Sequence, residues 1–84
     1  MITARQSRAA RALLGWTQET LADKAQVSLT ALKRLESESG LKVFESTRDQ
    51  VRRAFVSNGI EFLSTEQGEG LMLVRQKQQM RGDY

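Results

Sequence analysis

Two apolar–hydroxyl pairs set the scale of this fold. Trp16 stands directly before Thr17, with Leu21 following, and Val27 stands before Ser28, with Leu32 at the same spacing. Thr and Ser accept hydrogen bonds from the unpaired amides of a helix's first turn. An apolar residue just before such a cap packs on the fourth helical residue. The repeat therefore predicts two short helices, each capped and stapled, joined by a brief turn at Gln26. Glu19 falls in the first turn of the earlier helix, where the helix dipole favours an acid. Leu32 and Leu35, three apart, point to one face of the later helix.

Similar signals flank this pair. Residues 3–14 are rich in Ala, Leu and Arg, which are good helix formers. Thr3 with Gln6 has the spacing of a capping box, and Gly15 supplies the usual stop. An apolar face is expected through Ala9, Ala10, Leu13 and Leu14. After the third helix, which should end between Ser37 and Gly40, Leu41, Val43 and Phe44 are expected to pack back on the core. A fourth helix is expected from Ser46 or Thr47, because Thr47 and Gln50 repeat the capping-box spacing. Val51, Ala54 and Phe55 form its buried stripe, and Asn58-Gly59 ends it. The pattern then shifts to period two. Residues 60–64 and 71–75 read as the strands of a β-hairpin around a turn at 66–70. Residues 76–84 are polar and read as a flexible tail.

Composition narrows the function. The chain has 84 residues, so one domain with a modest core is expected, and a partner chain would help to stabilise it. It contains no cysteine and no histidine. That removes a disulfide framework, cysteine-based zinc sites, and the commonest general base and metal ligand. The acidic pairs Glu36/Glu38 and Glu66/Glu69 alone make a poor catalytic or metal site. No catalytic residue, cofactor or metal is expected. The formal charge is +3, and the whole positive excess lies in residues 1–60, which suits a polyanion. There is no apolar run long enough for a bilayer and no signal-peptide pattern, so no membrane partner and a cytoplasmic location are expected.

The stretch from Gln18 to Glu36 resembles the Cro/C1-type (XRE family) helix-turn-helix of phage repressors and related small regulators. Leu21, Ala25, Val27, Leu32 and Leu35 occupy the positions where two short helices cross, and Ala22 keeps that crossing close. One departure is Gln26, where the family usually has Gly in the turn. A non-glycine residue there is expected to be left-handed, at a cost of roughly 1 kcal/mol. The resemblance implies a mainly α, four-helix, lambda-repressor-like DNA-binding domain over residues 1–59. It places helix 28–37 in the major groove. Residues 60–75 would then be a C-terminal β-hairpin and the dimerisation element, a weaker likeness to the tails of some very short regulators.

The resemblance also assigns roles by position. Leu29, Thr30 and Arg34 match base-reading positions. Arg34 suits guanine O6 and N7, Leu29 a thymine methyl, and Thr30 a base or a phosphate. Thr17, Gln18, Ser28 and Lys33 match backbone-holding positions, and Arg48 is a phosphate candidate near the start of the fourth helix. Arg11 and Glu36 match a structural ion pair. The implied function is a sequence-specific, double-stranded DNA-binding transcriptional regulator acting as a homodimer, with no small-molecule effector evident. The alternative is a protein-interaction module, such as an antitoxin-like partner. Thr30, Lys33 and Arg34 favour DNA, since no acid follows on that face until Glu38.

Overall fold

The computed structural model describes residues 1–37 and 40–75. Four helices precede a two-stranded antiparallel sheet: α1 (Ala4–Leu14), α2 (Gln18–Ala25), α3 (Leu29–Glu36), α4 (Glu45–Ser57), β1 (Ile60–Thr65) and β2 (Gly68–Leu73). The architecture is mainly helical, as the sequence implies. The expected tail, residues 76–84, lies outside the described residues, as does Glu38.

The first three helices start where their caps stand. Thr3 and Gln6 form a reciprocal capping box on α1. Thr17 accepts from the Thr20 amide and Ser28 from the Ala31 amide, each at 3.0 Å. The ends of α1 and α2 share one device. Gly15 at φ 71° and Gln26 at φ 58° are both left-handed. The Trp16 amide then reaches the Arg11 carbonyl and the Val27 amide the Ala22 carbonyl. These bonds satisfy carbonyls that a helix end otherwise leaves orphaned. Gln26 thus adopts the conformation for which glycine is the usual choice.

The fourth helix corrects the sequence reading. It begins at Glu45 with Phe44 at the cap, and no side chain closes that end. Thr47 is buried inside the first turn, and its amide and that of Arg48 bond to the Phe44 carbonyl. The Thr47–Gln50 spacing therefore marks no cap. Contact with the core has moved the start about one turn earlier than the local pattern indicates.

One core unites all six elements. Phe55, Leu21, Leu32 and Val51 are fully buried, with Leu35, Ile2 and Ile60 almost so. Trp16 stacks on Phe55 with ring centroids 5.9 Å apart, and Phe62 meets Phe55 edge-on at 6.3 Å. The hairpin thereby joins the helical core, as an isolated two-stranded sheet must to be stable. Its turn is only Glu66-Gln67, shorter than expected. Gly68 and Gly70 belong to β2, opposite Thr65 and Leu63.

Two further expectations fail for the same reason, a helix or loop turned toward a different neighbour. On α1, Ala10 is buried and Leu14 packs on the core, but Ala9 is exposed and Leu13 is 49% exposed. Ser7 is buried in their place. In the connection before α4, Val43 packs inward while Leu41 and Phe44 stay exposed. Among the described residues, no helix is long and apolar enough to cross a membrane.

Candidate nucleic-acid interface

The crossing of α2 and α3 is built from small and branched residues. Leu21, Ala22 and Ala25 of α2 and Leu32 and Leu35 of α3 are all buried, with Val27 packed between the helices' ends. Larger side chains at Ala22 or Ala25 would force the helices apart. This crossing fixes α3 as a ridge whose other face stays in solvent. Ser28, Thr30, Lys33 and Arg34 are exposed there, and Thr17 is exposed at the start of α2.

The far end of α3 is clamped by one carboxylate. Glu36 is 4% exposed. Arg11 donates to it through Nε, at 3.0 and 3.1 Å, and through Nη2 at 2.8 Å. Gln18 Nε2 donates to Oε1 at 3.0 Å, and the buried Ser7 hydroxyl donates to Oε2. Arg8 donates to the Glu36 main-chain carbonyl, and Arg11 Nη1 to the Trp16 carbonyl at 3.2 Å. Two segments of chain, α1 and the start of α2, therefore converge on the last residue of α3. Burial by itself pushes the Glu36 carboxyl up; the hydrogen bonds from Arg11, Ser7 and Gln18 and the Arg11 charge outweigh it and hold the group below its usual value.

Residues 8–41 match the family model described as Helix-turn-helix. Over this segment, which is less than half of the chain, the match is to the Cro/C1-type helix-turn-helix. Domains of this type are DNA-binding and regulatory, so the segment is a DNA-binding regulatory domain in general kind. No curated protein and no solved structure matches the chain.

The helix-turn-helix sorts the residues singled out in the sequence into two sets. Thr30, Lys33 and Arg34 share the exposed face of α3, and the hydroxyls of Thr17 and Ser28 cap the two helices at its rim. Leu29, Gln18 and Arg48 sit differently. Leu29 is half-buried and packs on the core, because the first turn of α3 lies against it. The Gln18 amide is spent on Glu36. Arg48 Nη1 donates to the Ile2 carbonyl at 2.9 Å, which ties α4 to the chain's first residues.

Two residues beside the interface escaped the sequence reading. Lys42 and Phe44, in the connection before α4, line a pocket with Thr30 and Arg34 of α3. Phe44 is 75% exposed. Its apolar character points to core, and the only opposing signal in the sequence is Lys42 two residues before it. Away from this face three further cations make local contacts. Arg53 pairs with Asp49 at 2.8 Å, Arg52 lies over the Phe62 ring at 5.7 Å, and Lys24 lies over Trp16 at 5.3 Å.

Proposed function

We propose that this chain is a sequence-specific transcriptional regulator that binds duplex DNA as a homodimer, with α3 in the major groove. One observation carries the reading. An eight-residue helix presents Thr30, Lys33 and Arg34 to solvent, while its opposite side and its end are fixed by Leu32, Leu35 and the Glu36 clamp. A base-reading side chain needs such a rigid support.

Arg34 is the main base reader in this account, with its guanidinium forked onto guanine O6 and N7. Thr30 reads a base or holds a phosphate. Leu29 reaches a thymine methyl only through the part of its side chain that core packing leaves uncovered. Lys33, Ser28, Thr17 and the main-chain amide of Gln18 hold the sugar-phosphate backbone, the last two using the unpaired amides and positive dipole end of α2. Cytoplasmic placement follows from this reading. A single short helix buries too little surface for tight specific binding, and two half-sites remedy this. The hairpin over residues 60–75 is the proposed dimerisation element.

Fluorescence anisotropy with labelled genomic fragments, taken at several salt concentrations, tests the proposal. At least one fragment is expected to bind more tightly than random DNA. Arg34→Ala should then reduce that preference by about 1–3 kcal/mol while retaining most of the salt dependence. If no fragment outcompetes random DNA and Arg34→Ala changes nothing, the regulator reading fails. A protein-interaction module then becomes the better account.

A further inference from the structure

Among the described residues, Phe44 carries the most exposed aromatic ring; Trp16 and Phe62 are half-buried and Phe55 is buried. The exposure is fixed by its neighbours. Val43, just before it, packs on the core, and Thr47, just inside α4, is buried. The Phe44 carbonyl accepts from the Thr47 amide at 3.1 Å and from the Arg48 amide at 3.2 Å. Turning the ring inward would displace Val43 or undo this first turn. The ring is therefore held at the surface by a main chain anchored on both sides.

Its surroundings say what it meets there. The pocket it shares with Thr30 and Arg34 is also lined by Lys42 and Val43. Two cations and, among the described residues, no acid line it. Glu45, the next residue along, lines a different pocket with Met1, Arg48 and Asp49. The groove between α1 and β2 carries Arg5 and Glu69 together. An excess of positive charge on the α3 side suits a polyanion, and the ring beside it calls for an apolar surface on that polyanion. Thr30 and Arg34 lie four residues, or about 6 Å, apart along α3. That is less than two nucleotide steps of about 3.4 Å each. With α3 in the major groove, the strand that these two residues touch enters the pocket. The apolar feature of a base edge in that groove is the C5-methyl of thymine, and phenylalanine is among the side chains that suit it. 5-Methylcytosine presents the same methyl. Leu29, the other apolar side chain near this face, spends much of its surface on the core.

We infer that Phe44 is a further specificity-determining residue, which reads the C5-methyl of a pyrimidine within about two base pairs of the guanine contacted by Arg34. Lys42 holds a phosphate of the same strand. The inference rests on the DNA-binding reading above and adds to it a response to cytosine methylation.

Fluorescence anisotropy on the full chain tests this, using the tightest-binding genomic fragment. Thymine, uracil, cytosine and 5-methylcytosine are placed in turn at each position, on either strand, within two base pairs of the guanine that Arg34→Ala ceases to prefer. At one position the parent chain should bind thymine over uracil, and 5-methylcytosine over cytosine, by roughly fourfold each, the equivalent of burying one methyl group. Phe44→Ala should abolish both differences and keep the guanine preference. Phe44→Leu, still apolar, should retain part of each. Because the ring is exposed, both variants should keep the parent's circular dichroism and thermal midpoint. The inference is wrong if no position shows a methyl effect, or if the effect survives Phe44→Ala. It is equally wrong if Phe44→Ala weakens thymine and uracil duplexes alike, which would place the ring on the deoxyribose. In each of these cases the guanine preference lost in Arg34→Ala still supports the regulator reading. A parent chain that prefers no fragment over random DNA overturns both.

Discussion

Replacing Arg11 by Ala should remove much of this protein's stability margin without touching the proposed DNA-facing surface of α3. Glu36 is almost wholly buried, and Arg11 supplies three of the side-chain donor contacts to its carboxylate. Truncation leaves a buried charge held only by Ser7 and Gln18. It also strips the Trp16 carbonyl of its side-chain donor. Breaking a buried pair typically costs about 3–5 kcal/mol. The Arg11 side chain is itself 21% exposed, so water can reach part of the gap and the lower end of that range applies. A domain of this size has about 4–12 kcal/mol in total, from roughly 0.05–0.15 kcal/mol per residue. Urea unfolding followed by the fluorescence of Trp16, which stacks on Phe55, reads the loss directly. With a urea slope of about 1–2 kcal/mol per molar, the midpoint should fall by roughly 1.5–3 M. DNA binding should weaken in proportion to the unfolded fraction and recover at low temperature or in stabilising osmolyte. A midpoint shift under about 0.5 M at this slope would show that the clamp contributes little, and the reasoning about α3 would fail with it.

Two further outcomes follow from the same geometry. The Glu36 carboxyl is held below its ordinary value in the folded chain, so its contribution is fully present above the unfolded glutamate value of about 4.3 and is lost as pH falls through the lower folded value. Glu36→Gln should therefore flatten the acid limb of a stability-against-pH curve; an unchanged limb would place the acid sensitivity elsewhere. Gln26→Gly should stabilise the chain by roughly 0.5–1 kcal/mol, since Gln26 is left-handed at φ 58° and glycine bears no Cβ penalty there. A drop in the thermal midpoint would mean that the Gln26 side chain makes a compensating contact.

The sequence made most of the helical scaffold readable because caps and staples act locally. Thr3, Thr17 and Ser28 start helices by bonding amides three residues away, and the left-handed turn at Gln26 follows from the lack of room between two such helices. The misreadings lie where a distant partner decides. Ser7 is buried because Glu36, far along the chain, needs its hydroxyl. Leu13 is exposed because that clamp turns the opposite side of α1 outward. Ile2 is buried and its carbonyl receives Arg48, a pairing that no local pattern encodes. Phe44 shows the limit of reading apolar character as burial, since it starts α4 at the surface. In the candidate interface, spacing revealed the exposed row Thr30, Lys33 and Arg34. The packing of Leu29 and the bonds of Gln18 and Arg48 required the three-dimensional arrangement.

The central claim is that α3 reads DNA sequence from two copies of the chain. Selection of bound duplexes from a random library, with the parent chain and Arg34→Ala compared side by side, tests it most directly. The account predicts an enriched pair of inverted half-sites, centred about one helical turn apart or a multiple of it, with a guanine preference that Arg34→Ala erases. A library that shows no enrichment, or a preference that survives Arg34→Ala unchanged, would contradict it.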